Sequence, residues 1–386
     1  MSAAVVTPGV ADPVHPASRV AGGGAGSAGV APSGGPVPAG AKAAHAAVVL
    51  LGTGVVGRAL LTLLATPAAR SLRLVGAANS RGQLAQGEGL VPASVPDLLA
   101  SASGGRENNR LLAALDASGA PRKVVIDATA SATEAGRHAE WLAAGYHVVT
   151  ANKALAGGHL SGWRALQAAT ANGCVYGDAA TVGAGLPVLS TLRRLRTCGD
   201  SLLTLEGVFS GSLSWLFNQY DGSRPFSELL ADARRLGFTE PDPRSDLSGE
   251  DVARKLLIIA RNAGFALGTE EVEVESLVPE ALRDLDTKTF LDRLTDLDEP
   301  LRARHEQARA NGKVLRYLAR LNQRGRARVG LVEVGLDHPA SRLSGTDNQF
   351  ALTTTRYHST PLVIQGPGAG PEITAQALLG DVLTLA

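Results

Sequence analysis

Val48-Val-Leu-Leu-Gly-Thr-Gly-Val-Val-Gly-Arg-Ala-Leu-Leu-Thr-Leu-Leu-Ala65 passes from one apolar run, through three spaced glycines, into a second. Residues 48–51 have the length and composition of a buried strand, and residues 58–65 read as a helix. Gly52, Gly54 and Gly57 stand between them as G-x-G-x-x-G. In that context the glycines let a backbone approach a pyrophosphate at a helix N-terminus. Gly52, Thr53, Gly54, Val55, Val56 and Gly57 are therefore the candidate dinucleotide loop.

Strands and helices alternate beyond this unit. Residues 72–78 read as a strand that ends in Asn79-Ser-Arg-Gly82. An acid about 20 residues past the glycines commonly binds the ribose hydroxyls of NAD. Here Asn79, Ser80 and Arg81 occupy that region, and Arg81 suits the 2′-phosphate of NADP, with NAD still open. An exposed loop arginine would look the same. Residues 83–120 read as irregular apart from a short helix near residues 109–115. Strands at 124–128 and 147–150 flank a helix at 134–144. Such repeats predict an α/β fold with a Rossmann-type, doubly wound parallel sheet. Ligands bind beyond the carboxyl ends of its strands, where Thr129, Ala130, Ser131 and Lys153 fall.

After a helix at 163–172 and a glycine-rich loop over residues 176–187, helices are expected at 188–195, 210–218, 226–236 and 314–321. Strands are expected at 202–209, 328–336 and 349–355. This part reads as an α+β domain with a mainly antiparallel sheet. Pro361 opens a strand into Gly366-Pro-Gly-Ala-Gly370, and residues 373–385 form a closing helix expected to return to the nucleotide-binding part, with Gly368 near the cofactor. The expected division is a disordered Ala/Gly/Pro-rich tail at 1–45, a dinucleotide domain at 46–178, a catalytic domain at 179–345 and a returning segment at 346–386.

A chain of 386 residues exceeds one ordinary core. A formal net charge of +1 without a basic block argues against nucleic acid as a partner. No apolar run reaches the roughly 18 residues that a membrane span requires. Nothing at the N-terminus reads as a signal peptide, and Cys174 and Cys198 form no metal or disulfide pattern, so a cytoplasmic location is expected.

The stretch with the most chemistry is Gly237-Phe-Thr-Glu-Pro-Asp-Pro-Arg-Ser-Asp-Leu-Ser-Gly-Glu-Asp-Val-Ala-Arg-Lys255. Pro241 and Pro243 keep its first half extended, and a helix starts before Asp251. Asp251 and Lys255 then share a helix face one turn apart, fed by a loop bearing Glu240, Asp242 and Asp246. A plainer reading makes Ser248-x-x-Asp251 a capping box and Asp251/Lys255 a surface ion pair.

In family order, Gly52–Gly57, Val148-Val-Thr-Ala-Asn-Lys153, Thr181-Val-Gly-Ala-Gly-Leu-Pro187, Ser210-Gly-Ser-Leu-Ser214, the 237–255 stretch and Gly366–Gly370 resemble homoserine dehydrogenases. The Ser-Gly-Ser-Leu-Ser form resembles the dehydrogenase half of bifunctional aspartokinase–homoserine dehydrogenases, and a dehydrogenase without kinase or regulatory domain is expected. The resemblance implies NAD(P)H-dependent interconversion of L-aspartate 4-semialdehyde and L-homoserine, towards threonine and methionine. It places catalytic lysines at Lys255 and Lys153, substrate-binding carboxylates at Glu240, Asp246 and Asp251, and a homodimer built through the second domain. It also implies a sodium-type cation held by an acid and the carbonyls of Val182, Ala184 and Leu186. The acid's position holds Ala179, with Asp178 one residue earlier. The residues agree with this chemistry: carboxylates suit the substrate ammonium, and a lysine held by Asp251 suits the carbonyl oxygen. Two rivals remain. A phosphorylating semialdehyde dehydrogenase needs a nucleophilic cysteine, which Cys174 would have to supply. A non-catalytic NADP-binding sensor would keep the fold without turnover.

Overall fold

The computed structural model describes residues 45–102, 105 and 107–386; the tail expected at 1–45 lies outside the described residues except for His45. The described residues form one compact unit. It contains two six-stranded sheets.

The first sheet comprises β1 (Ala46–Leu51), β2 (Leu72–Ala78), β3 (Gln83–Ala85), β4 (Arg122–Asp127), β5 (His147–Thr150) and β6 (Tyr176–Gly177), in the order β3-β2-β1-β4-β5-β6. All pairs are parallel except β2 with β3. Every residue of β1 is buried, as expected of a central strand covered by helices on both faces. The strand order steps outward from β1 in both directions, so the crevice beyond its carboxyl end is a topological switch point. The Val55–Leu64 helix starts there.

The second sheet comprises β7 (Leu202–Val208), β8 (Val272–Val274), β9 (Val314–Asn322), β10 (Ala327–Val334), β11 (Asp347–Thr354) and β12 (Leu362–Pro367), in the order β12-β11-β7-β9-β10-β8. It is antiparallel except where β8 runs parallel to β10. Residues 314–321, expected to be helical, form β9 at its centre. Leu315, Tyr317, Ala319 and Leu321 join the main core, while Leu318 joins a small one with Val208, Val334, Ala340 and Leu343. With both faces covered, the strand shows no apolar–polar alternation. Arg316 is tolerated because its guanidinium donates to the carbonyls of Phe217, Leu315, Ala340 and Ser341.

Other departures are local. Residues 83–120 hold β3 and a Val95–Ser101 helix besides the Asn108–Ala117 helix. The helix expected at 134–144 is two short ones, Ala132–Ala135 and His138–Ala143, parted at Gly136 and Arg137. The closing Pro371–Leu383 helix buries Ala375, Leu378, Leu379 and Val382 in the same core as Val48, Leu50, Leu60 and Leu61.

Candidate active site

At the carboxyl end of β1 the three glycines have distinct tasks. Gly52 turns at φ +91°, and a Cβ there would lie 2.9 Å from Ala128 O. A Cβ on Gly57 would overlap the Gly52 carbonyl. Around Gly54 nothing lies within 4 Å, which leaves the backbone open to a ligand. The Val55–Leu64 helix has no side-chain cap and no acid in its first turn, so its free N–H groups and dipole favour a phosphate. These residues fit a dinucleotide. After β2, Asn79 Oδ1 accepts the N–H groups of Arg81 (2.8 Å) and Gly82 (3.0 Å), leaving Ser80 and the Arg81 side chain exposed.

Asp127, fully buried at the end of β4, organises the neighbouring loops. Its Oδ1 accepts from Thr129 N (2.9 Å) and its Oδ2 from Asn152 Nδ2 (3.0 Å). Asn152 also donates to Ser131 O (2.9 Å) and accepts from Ala154 N (3.0 Å), which bounds Lys153 on both sides. His138 Nε2 lies 2.9 Å from Asp127 Oδ2 and its Nδ1 3.2 Å from the Tyr176 hydroxyl. A carboxylate only accepts, so Nε2 carries a proton towards Asp127.

The Glu250–Asn262 helix does not start with the capping box that the plainer reading puts at Ser248. Its N-cap is Gly249, in the left-handed region at φ +76°, with no side-chain cap. A Cβ there would overlap the Tyr317 hydroxyl, so only glycine fits. This start aims Asp251 and Lys255 inward. Asp251 Oδ2 lies 2.8 Å from Lys255 Nζ, and Oδ1 lies 3.6 Å from Lys153 Nζ. Lys255 Nζ also donates to Phe209 O at 2.8 Å, and its side chain is only 12% exposed, whereas the Asp251 carboxylate is 46% exposed and opens to the cavity. Burial alone would raise the Asp251 carboxyl, but Lys255, Lys153 and Arg254 outweigh it and hold it down at about 2.

Lys255 and Asp251 line a cavity of about 540 Å³ together with Glu240, Asp246, Ser210, Ser212, Thr346 and Gly368. The Asp246 carboxylate is engaged, accepting from Ser212 Oγ (2.6 Å) and Glu240 N (2.9 Å). Glu240 is exposed on the cavity wall. Lys153 reaches the cluster through Asp251 without lining this cavity.

A sequence model described as homoserine dehydrogenase matches residues 187–383, and one described as homoserine dehydrogenase, NAD binding domain, matches residues 52–176. The chain is 41% identical over 275 residues to a homoserine dehydrogenase of Paracoccidioides brasiliensis, covering 68% of this chain and 74% of that one. The chain belongs to the homoserine dehydrogenase family. A chloroplastic bifunctional aspartokinase/homoserine dehydrogenase 2 of Zea mays is 40% identical over 353 residues, 88% of this chain. The chain spans 38% of that relative's length. A crystal structure of a Candida auris protein of unknown function matches with a TM-score of 0.82 and 34% identity, covering 88% of this chain and 97% of that one.

Asp178 is buried and turned to Arg193, and its Oδ2 accepts from Asn262 Nδ2 at 3.3 Å. Leu186 O already accepts Val188 N–H at 2.7 Å. A cation would find only the carbonyls of Val182, Ala184 and Leu186, so these residues do not make a carboxylate-ligated site. Burial pushes the Cys174 thiol up, and Cys174 lines a different hollow from Lys255, which disfavours it as a nucleophile. Sequence reading missed the Phe209 carbonyl, Ser212 and Asn348, whose Nδ2 donates to Phe209 O at 3.1 Å. The Ser-Gly-Ser-Leu-Ser run was the only signal for Ser212; a main-chain acceptor leaves none.

Proposed function

We propose that this chain catalyses the reversible NAD(P)H-dependent reduction of L-aspartate 4-semialdehyde to L-homoserine, a step in making threonine and methionine. The observation that carries the reading is Asp251 bridging Lys153 and Lys255 at a cavity that Glu240 also lines. The cofactor is assigned to Gly52–Gly57, Thr129, Ala130, Ser131, Lys153 and Gly368, with Asn79, Ser80 and Arg81 at the ribose end. Arg81, with no acid beside it, favours NADP. When bound, the nicotinamide supplies the hydride.

The chain's residues act at the other end of the reaction. As the aldehyde is reduced, its oxygen becomes negative and needs a donor and a proton. A lysine ammonium has three N–H donors. Phe209 O and Asp251 take two from Lys255, which leaves one for that oxygen. Asp251 keeps the ammonium aimed, and Lys153 shares its charge. Glu240, with Asp251, meets the substrate ammonium; Asp246 supports both by holding Ser212 and the Glu240 main chain. No step is routed through a cation.

Residues 46–178 with the closing Pro371–Leu383 helix are taken as the cofactor-binding part, which the burial of that helix beside β1 supports; β11 and β12, expected to return with it, pair instead in the second sheet and go with 179–345 to the catalytic part. A homodimer through the second domain and a cytoplasmic location complete the reading, on the family resemblance and the two unpaired cysteines. Among the described residues no helix is long and apolar enough to cross a membrane. Light scattering that returned the mass of one chain would refute the dimer.

The deciding assay follows loss of reduced nicotinamide with L-aspartate 4-semialdehyde, with NADPH and NADH in parallel. Lys255→Ala, checked for folding by circular dichroism, should lose roughly 10²- to 10⁴-fold in kcat. Cofactor binding without turnover in the wild type would replace this reading with the sensor.

A further inference from the structure

We propose that Arg261 is a positioning residue that sets where Lys153 stands against Asp251 and Lys255; the inference rests on the reaction proposed above. Arg261 occupies the last turn of the Glu250–Asn262 helix and is 1% exposed. Its hydrogen bonds go to main-chain carbonyls: Nε to Leu267 O (3.2 Å), Nη1 to Ala156 O (2.6 Å), and Nη2 to Gly158 O (2.7 Å) and Leu267 O (3.0 Å). Glu270 attracts it only through space, and burial pushes the guanidinium down to about 10. Filling this space is a task that an apolar side chain would perform without burying a charge.

Two of the three acceptors belong to the turn that follows Lys153. Gly157 N donates to Lys153 O at 2.8 Å and Gly158 N to Leu155 O at 3.2 Å, so Lys153 closes the turn that Ala156 and Gly158 present to the guanidinium. The helix that grips this turn is the one that carries Asp251 and Lys255. Arg261 thereby ties the segment of one lysine to the helix of the other. From the opposite side, Asn152 anchors the same segment to Asp127 and Ser131. The Lys153–Asp251 contact, at 3.6 Å, is looser than the 2.8 Å Lys255 contact and has the least margin for a shift of the turn. A planar fork that bonds two carbonyls of one turn sets its tilt as well as its distance; a lysine ammonium, with three freely rotating donors and no fixed plane, sets only the distance.

The test is a double-mutant cycle. Arg261→Gln and Arg261→Lys are made in the wild type and in Lys153→Ala, with thermal melts and steady-state kinetics on each. Arg261→Gln should lower kcat roughly 10- to 100-fold when Lys153 is present. It should leave KM for NADPH within about twofold and change the Lys153→Ala protein by less than about twofold. Arg261→Lys should recover part of the loss. Equal losses in both backgrounds, or a loss confined to KM for NADPH, would overturn the proposal. So would failure of both variants to fold, which would make Arg261 purely structural. A readout free of turnover separates this inference from the reaction itself. Acylation of Lys153 by an amine reagent, read by peptide mass spectrometry, should speed up several-fold in Arg261→Gln. Unchanged labelling sinks the positioning role even in an active enzyme, and faster labelling in a protein without turnover sinks only the reaction.

Discussion

At Gly249 the main chain is left-handed, at φ +76°, and the Tyr317 hydroxyl fills the space a side chain would need. Gly249→Ala should therefore destabilise the protein by about 2 kcal/mol or more, because strain and overlap add. Tyr317→Phe removes the hydroxyl and should return part of that loss when combined with it; urea midpoints of the four proteins test this. A strictly additive pair would mean that the overlap is not the cause. Arg81 makes a different kind of case, since its side chain is exposed and its main-chain N–H is already used by Asn79. Arg81→Ala should raise KM for NADPH roughly 10- to 100-fold, the loss of a charge-assisted phosphate contact, and leave KM for NADH nearly unchanged. Equal effects on both cofactors would remove Arg81 from the ribose end.

Among the elements, the proline-rich loop before the catalytic helix is held by Asp242. The Arg244 side chain donates to it at 3.0 Å (Nε to Oδ1) and 2.6 Å (Nη2 to Oδ2), and Thr287 Oγ1 donates to Oδ2 at 3.0 Å. The Arg244 hydrogen bonds, against the opposing effect of burial, hold the carboxyl down at about 2. An unfolded aspartate titrates near 3.9. The folded value is lower, so the stabilisation is complete above the unfolded value and is lost as pH falls through the folded one. Asp242→Asn should cost about 1 kcal/mol near neutrality, after allowance for solvent screening, and the gap should close from about pH 4 towards 2. A pH-independent gap in urea stability would exclude the ion pair as its source. The same loop shows how far the sequence carried. The four-residue spacing of Asp251 and Lys255 has its consequence within a single turn and was readable, whereas Pro243, expected to keep the chain extended, instead opens a short helix at Arg244–Leu247. The hydrogen bond of Thr287 to Asp242 joins segments that only the fold brings together. For β9 the obstacle was different: Leu315, Arg316, Tyr317 and Leu318 are buried on opposite faces. Period-two patterning vanishes when both faces are covered. Arg261 left no signal either, since an arginine ending an apolar helix ordinarily reads as solvent-facing.

At the scale of the whole molecule, the alternation of strands and helices made the first sheet legible, whereas the pairing of β7 with β9 and β11 depends on contacts far apart in the chain. The closing helix joins the two ends of the described chain. Leu378→Ala should cost about 2–5 kcal/mol in urea unfolding, as a deletion in a filled core does. It should also weaken NADPH binding, because Leu378 shares its core with Leu60 and Leu61 of the helix that begins at the glycine loop. Unaltered binding alongside lost stability would show that the glycine loop holds its shape without this support.

This closure has a consequence for the order of assembly on the ribosome. All six strands of the first sheet are complete by Gly177, yet the helix that finishes their core ends at Leu383, 383 − 177 = 206 residues later. At roughly 5–20 residues per second, the nascent chain carries an unsealed apolar groove for about 10–40 s. Throughout that interval the growing polypeptide exposes apolar surface of the first sheet and of the Val55–Leu64 helix that the closing helix covers in the finished protein.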